Sequence, residues 1–560
     1  MNLNTRTVSS LFQGGTTIKC LLACCLILIG GSLSVGQQPG QNDARHARQR
    51  AEALLSKLPD QIKLMDEPTM RVFLRLRIVK FLWDNKLENL SDTTEEMAAE
   101  ALADIQKYEK EIPELYVSSF RSELLALLQL HAPALAARLT ERYGLNETHI
   151  QADTAHQLLY TKDGMKRAVE MMREIIRTGQ LPPNIEFFLS DLEDAQPAET
   201  ISLLADLLTI EERRPGTISW ENIFLLKHFY ISKNAPPELQ ARFLTLLINK
   251  SSRLSILPQQ DRTVAYRLLA ATLPKIQELL PNLYSLAASQ MSSLGASAPK
   301  FTLEREDVTK RIEQSNDELA QMIAEAEATK DSSLKERLLV EASQLALKKG
   351  QLKVAIDLVM KVESEDSHHL LWRDQFLGDV IQQAIKEADL IVADYGVSKI
   401  RSPLKRASIM QIFAAHFFKL NDLVSARERL SNAVKLIESA ENNADKAVAF
   451  LKTIPLFIKV DNQRALEVAQ AAVKVINNIP GPNPEDKPGS AARSDYISKT
   501  MMPIAWHLIP AFRSLAETDS LGTFSLADSI MRREIKASAN FGASIGIRAA
   551  DEGTSLGQSN

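Results

Sequence analysis

From Ala44 to about Asn478, apolar residues recur at three- and four-residue intervals in segments broken by short polar turns. That period belongs to amphipathic helices of roughly 12 to 20 residues. In "PTMRVFLRLRIVKFLWDNK", Val72, Leu76, Ile78 and Phe81 fall on and beside one face, with arginines and a lysine between them. "SDTTEEMAAEALADIQKYEKEI" opens on a Ser/Asp cap, and acids in its first turn complement the helix dipole. "PELYVSSFRSELLALLQL" places Pro113 at the first helical position. Alternating runs of strand type are nearly absent. With only 21 Gly and 23 Pro in 560 residues, the pattern predicts an all-α chain.

Punctuation divides it. "SSLGASAPKF" (292–301) reads as a linker between an N-terminal helical repeat region (37–291) and a second one (302–478). The Pro/Gly-rich segment 479–495 is too long for a simple helix connection. Further helices are predicted over 496–537. The small, polar residues 538–560 predict a disordered tail.

Two stretches share more than a period. "LALKKGQLKVAIDLVMKV", from Leu345, and "HFFKLNDLVSARERLSNAVKLI", from His416, each run helix, polar turn, helix. An alanine follows the turn's central residue at +5 in both: Gly350 to Ala355, Asn421 to Ala426. Val359 and Val362 then follow Ala355 at +4 and +7, as Leu430 and Ala433 follow Ala426. Ala465 leads Ala469 and Ala472 in the same way, and Ala168 leads Met172 and Ile175. These offsets stay on one helix face, and a small leading residue lets paired helices approach closely. The turn residues Gly350, Asn421, Asn462 and Gly164 tolerate unusual backbone angles.

With Ala414 and Phe417 ahead of Ala426, this spacing resembles the tetratricopeptide repeat, a helix-turn-helix unit of about 34 residues. The match is best over roughly 330–480 and thin over 150–180. The family's early Trp and its Leu-Gly pair are missing. Ala355 and Ala426 lie 71 residues apart, so the unit between them is degenerate. The resemblance implies a right-handed α-solenoid whose concave surface is lined mainly by first helices. That points to Arg337, Gln344 and Lys348 in one unit, and Gln411, Phe418 and Lys419 in another, as the surface for a protein or peptide partner. Val340 stands where the family's carboxylate clamp has Asn, so a chaperone-tail ligand is not implied.

The N-terminus changes the picture of where the chain works. "MNLNTRTVSSLFQGGTTIK" carries Arg6 and Lys19 and no acid; "CLLACCLILIGG" is apolar; "SLSVG" is small. This is the order of a secretory signal peptide, with Ser34 and Gly36 suited to cleavage before Gln37. The expectation is an exported protein, periplasmic or extracellular, or alternatively one held at the membrane by residues 20–36. All three cysteines (Cys20, Cys24 and Cys25) sit in this segment, so a chain cut at Gln37 has no thiol for catalysis, disulfides or zinc. Loss of residues 1–36 moves the net charge from -4 to -6. That balance gives no broad reason to bind nucleic acid or anionic lipid.

Candidate chemistry is sparse. "GASIG" (542–546) has the literal G-x-S-x-G spacing, yet no histidine follows it and no strand precedes it. "SSLK" sets Ser332 three before Lys335, but Ser332 or Ser333 reads as a helix cap. His149, Asp153 and His156 share a helix face, although the two histidines are separated by a rise of about 10.5 Å. His368 and His369 are adjacent and point apart on a helix. No phosphate loop, zinc-protease motif or nucleotide fingerprint is present. The sequence therefore reads as a non-enzymatic interaction scaffold with no cofactor and no metal. The alternative is an envelope enzyme, metal-dependent or cell-wall-acting, whose site is assembled from distant helices.

Overall fold

The structure, a computed structural model, describes residues 41–557 apart from 86–90, 146, 162, 179–184, 214–226, 228–229, 232–234, 252–258, 296–307, 309–310, 313, 363–366, 484 and 487–489. The expected signal segment and its cysteines lie outside the described residues, as does most of the expected linker. Among the described residues, regular structure is entirely helical, and no helix is long and apolar enough to cross a membrane.

The first helices are α1 (Gln41–Lys63), α2 (Pro68–Asp84), α3 (Ser91–Lys107), α4 (Glu114–His131) and α5 (Pro133–Tyr143). Then come α6 (Thr148–Leu159), α7 (Met165–Arg177), α8 (Ile185–Ala195), α9 (Pro197–Arg213), α10 (Pro237–Ser251), α11 (Gln259–Leu279) and α12 (Tyr284–Gly295). The second array opens with α13 (Glu318–Ala328) and continues as pairs. These are α14 (Ser332–Lys348) with α15 (Leu352–Val359), α16 (Ser367–Lys386) with α17 (Leu390–Lys399), α18 (Pro403–Lys419) with α19 (Leu423–Glu438), and α20 (Ala444–Phe457) with α21 (Asn462–Asn478). The first helices α16, α18 and α20 pack on one another in turn, α15 packs on α16, and each pair leans on the next, which makes an α-solenoid.

One local device recurs at the turns. Gly350, Ala388 and Asn421 all have left-handed backbones, with φ of 70°, 60° and 57°. In each case the next residue's N–H reaches back to close the first helix: Gln351 to the Ala346 carbonyl (2.8 Å), Asp389 to Ala384 (2.9 Å), Asp422 to Phe417 (2.9 Å). Asp389 and Asp422 then cap the second helix by accepting from Val392 and Ser425. Five residues past each left-handed residue stands a fully buried alanine: Ala355, Ala393 and Ala426. The pair α16–α17 is thus the missing unit, with Val397 and Ile400 buried at +4 and +7 of Ala393. It was hidden because its left-handed position holds an ordinary alanine.

Other turn assignments shift. In α6–α7 the left-handed residue is Asp163 (φ 66°), five before the buried Ala168, while Gly164 has φ -82°. Asn462 is the first residue of α21, capped by Asp461. Asp331, not Ser332 or Ser333, caps α14, and Pro113 sits one position before α4.

The C-terminal region is more ordered than its composition predicts. Ser490 caps α22 (Ala491–Tyr496), so the loop ends earlier than expected. A π-helical turn (Ile497–Met501) leads into α23 (Met502–Ala516), then α24 (Ser520–Asp528) and α25 (Arg533–Gly557). The expected disordered tail is therefore mostly helix, with Ala539, Phe541, Ala543, Ile545 and Ile547 buried. Small residues there serve close packing: Gly542 and Gly546 lie directly against the backbone of α23 at Ile509 and Arg513. Ser544, between them, is fully buried in a helix, which removes the nucleophile-elbow reading of "GASIG".

The two ends of the described chain meet. α1 packs on α25. The Phe81 and Phe541 rings meet edge-on at 6.0 Å, and Phe73 and Trp506 lie 5.8 Å apart, with Arg77 over the Trp506 ring. The buried Glu67 pairs with Arg493 (3.1 Å), and Tyr116 donates to the carbonyl of Ser498, inside the π-helical turn. This explains α2, which is apolar nearly all round: Met70, Val72, Phe73, Leu74, Leu76 and Val79 are all buried. One hydrophobic core accordingly takes in Leu58 to Ile150 together with Val308 to Ile545, and a second runs from Ala152 to Leu294 with Ala126. The second core thus ends at Leu294, at the expected 292–301 linker, and begins near 150–152, where no boundary was expected; α12 itself continues to Gly295.

Candidate functional site

A groove of about 650 Å³ opens across three successive first helices, α16, α18 and α20. Helical spacing sets its walls. Leu404, Ser408 and Gln411 recur at i, i+4 and i+7 on α18, and Asp445, Val448, Ala449 and Lys452 at i, i+3, i+4 and i+7 on α20. Asp374 and Gln375 of α16 form the remaining wall. The Lys405 ammonium donates to Gln375 Oε1 at 2.9 Å, bridging α18 to α16. At the floor, Gln411 Nε2 donates to Thr453 Oγ1 (2.7 Å) and to the Ala449 carbonyl (3.2 Å), which fixes α18 against α20.

The groove is apolar along its floor and charged along its sides. Lys405 and Lys452 supply positive charge, and Asp374 and Asp445 negative charge. Asp374 Oδ1 is shielded from solvent and accepts no hydrogen bond; its nearest cation is Arg373 Nε, at 3.9 Å and likewise without a hydrogen bond. Burial, and secondly the charge on Lys452, hold His507 of α23 well below the usual imidazole range, at about 4. The imidazole beside this groove is therefore neutral at physiological pH.

Of the six residues expected at a partner surface, only Gln411 lines this groove, and at 8% exposure its amide is committed to the floor. Arg337 pairs with Glu341 on its own helix at 2.7 Å. Gln344 and Lys348 are exposed on α14, outside the groove. Phe418 is half-buried beneath Lys459, whose ammonium lies 5.3 Å from the ring centroid. Lys348 and Lys419 are the last residues of α14 and α18, at the turn edge. The groove is lined also by Leu404, Lys405, Val448 and Lys452, which the expected surface left out; Leu404 shares the stripe of Gln411 about two turns nearer the N-terminus, and no residue of α20 was expected.

The expected histidine face disperses. His149 lies 3.3 Å from Glu147, Asp153 accepts from Ser118 Oγ (3.0 Å), and His156 Nε2 lies 2.7 Å from Asp191 Oδ2. Tyr160 also donates to Asp191. These two hydrogen bonds, the tyrosine's first, hold the Asp191 carboxyl below its ordinary range, and the same bond pushes the Tyr160 phenol up to about 12. Among the described residues no group of three His, Cys, Asp or Glu is arranged to hold a metal. The side chains of His368 and His369 lie outside the described residues. A smaller cleft, about 430 Å³, has the stacked Trp83 and His131 rings (5.1 Å, 14°) in its wall.

No protein-family model matches the chain, and no curated protein matches it in sequence. Among solved structures, yeast Tom70 aligns at 12% identity over 86% of this chain and 96% of its own, with a TM-score of 0.22. A circular tandem repeat protein with novel repeat topology aligns at 12% identity over 92% of this chain and 100% of its own, with a TM-score of 0.11. Those superpositions are too loose to bear on function. Its own helix pairs, left-handed turns and buried +5 alanines make the chain an α-helical repeat array, in an arrangement that resembles the tetratricopeptide repeat.

Proposed function

We propose that this protein is an exported, non-enzymatic scaffold that holds a protein or peptide segment in the groove across α16, α18 and α20. The observation that carries the reading is the groove's composition. Leu404, Val448 and Ala449 offer an apolar floor for side chains, and the ammonium groups of Lys405 and Lys452 offer donors to main-chain carbonyls. Export is supported by the basic, apolar, small-residue order of positions 1–36 and by the absence of cysteine beyond them.

A photo-crosslinking residue at Leu404 in native cells tests the groove. The expected result is one discrete protein adduct, lost when Lys405 and Lys452 are both changed to Glu. Equal labelling from a crosslinker at exposed Glu428 would overturn the reading. Export is tested by the N-terminus of the mature protein: Gln37 in an envelope fraction is expected, and an intact Met1 in the cytoplasm would refute it.

A further inference from the structure

The smaller cleft, of about 430 Å³, lies where three stacked helices end. α2 packs on α4, and α4 on α6. Trp83 and Asp84 are the last residues of α2, His131 is the last of α4, and Tyr160 directly follows α6; all four line the cleft. Lys80, one turn earlier on α2, and Thr161 and Asp163, in the turn after α6, add polar groups to its rim. The volume falls in the range of small-ligand sites, about 300–1,000 Å³.

The aromatic side chains of the cleft are each fixed by a partner of their own. Trp83 and His131 stack at 5.1 Å and 14°, and burial holds the His131 imidazole below its ordinary range, hence neutral. Tyr160 is 64% exposed, yet its hydroxyl is tied to Asp191. Rings already held in place lose little freedom when a ligand covers them. The polar rim consists mostly of acceptors. Tyr160 donates its proton to Asp191 and Thr161 donates its own to the Leu158 carbonyl (2.8 Å), so toward a ligand each hydroxyl oxygen can only accept. Asp84 and Asp163 are acceptors as well, and Lys80 is a donor. Among the described residues, these three charged side chains form no hydrogen bond and no ion pair.

We propose that this cleft binds a neutral saccharide, a pyranose laid by its C–H face on the aromatic side chains while its hydroxyls donate to Asp84 and Asp163 and accept from Lys80. The acceptor-rich rim calls for a ligand that brings several donors, and the fixed rings call for one with a flat apolar face; a pyranose has both. A simple anion would meet two carboxylates. An ammonium or guanidinium group would bring donors, but it would offer no acceptor to Lys80 and would be repelled by its charge. A hydrophobic ligand would strip water from all three charged groups and give them no partner. The groove across α16, α18 and α20 shares no residue with this cleft, so the two sites stand or fall separately.

An array of neutral oligosaccharides probed with the full chain tests this. Binding to at least one glycan is expected, with the same affinity in low and high salt because the ligand carries no charge. Asp163→Asn should weaken that binding about tenfold, by turning a charge-assisted hydrogen bond into a neutral one. Asparagine tolerates the left-handed backbone of this position (φ 66°), so the variant keeps the fold. Trp83→Ala should abolish binding, and Lys405→Glu with Lys452→Glu, in the groove, should leave it unchanged. Saturation-transfer-difference NMR should place the strongest transfer on ring C–H protons of the bound glycan. An array on which no glycan binds, a bound glycan indifferent to Asp163→Asn and Trp83→Ala, or binding that falls with salt and is displaced by arginine or tetramethylammonium, as a cation site would give, each overturn the proposal.

Discussion

Substituting Gly542 by alanine tests whether the C-terminal helix is a packed element that closes the chain. A Cβ at that position would lie 2.5 Å from the Ile509 carbonyl oxygen and 3.0 Å from its Cα; at Gly546 it would lie 2.2 Å from the Arg513 carbonyl oxygen. Both are about 1 Å short of ordinary contact, and the obstructing atoms are main chain, which no rotamer change can move. α25 must therefore lift from α23, loosening Phe541 against Phe81 and Trp506 against Phe73. Overpacking costs about 1–3 kcal/mol, and against main chain it falls in the upper part, about 2–3 kcal/mol; alanine returns about 1 kcal/mol as the better helix former, leaving a net loss of about 1–2 kcal/mol. Urea denaturation followed by the fluorescence of the chain's four tryptophans, Trp506 among them, should show a lower midpoint for Gly542→Ala. Ser544→Ala, in the same helix turn, should match or exceed the wild type, since it removes a buried hydroxyl without a hydrogen-bond partner. A Gly542→Ala protein as stable as the wild type would refute close helix approach as the reason for the two glycines.

The turns give a paired test: Ala388→Gly should stabilise by about 0.5 kcal/mol, and Gly350→Ala should destabilise by about 1 kcal/mol, because φ near 60–70° is costly for any residue with a Cβ. Opposite shifts in denaturation midpoint are expected, and shifts of the same sign would count against the shared turn. Gln411→Ala should cost about 1–3 kcal/mol by removing the amide that joins α18 to Thr453 and Ala449, again read from the denaturation midpoint. Tyr160, with its folded pKa raised, contributes stability that is complete below its ordinary pKa of 10.0 and is lost as pH rises toward about 12. Tyr116, Tyr230 and Tyr395 also ionise above the ordinary range, so ultraviolet titration should show one fewer late phenol in Asp191→Asn than in the wild type, as Tyr160 returns toward 10.0.

The repeat was legible because it is local. A buried alanine, a turn residue tolerant of left-handed geometry and two later core residues all lie within one pair of helices, so Ala355 and Ala426 announced themselves by spacing. The pair between them was illegible at one atom's difference: Ala388 occupies a left-handed position where glycine or asparagine would have marked the turn. The groove was half legible. First helices do form it, and Leu404, Gln411 and Phe418 recur along one stripe of α18; how far along that stripe the groove opens, and that α20 supplies the facing wall, is a property of three pairs at once.

The meeting of the chain's ends was invisible for a stronger reason, since its contacts span more than 400 residues and each end alone looks ordinary. The sequence of α2 held the one hint, apolar positions on too many faces for a surface helix. If that meeting is a built joint, its polar contacts should differ in weight according to burial. Glu67 is almost wholly buried, and Arg493 is its cationic partner. Removing Arg493 strands the carboxylate with only its Thr69 contacts, and the cost should be about 2–3 kcal/mol, somewhat under that of a fully buried pair. Arg50 and Asp528 bridge the same joint at 2.5 Å, but both side chains are largely exposed, so Arg50→Ala should cost no more than about 1 kcal/mol. Hydrogen exchange should then show α1 and α25 opening together in Arg493→Ala and hardly at all in Arg50→Ala. Equal effects, or opening of α25 without α1, would mean that the ends merely touch and that the shared core does not hold them as one unit.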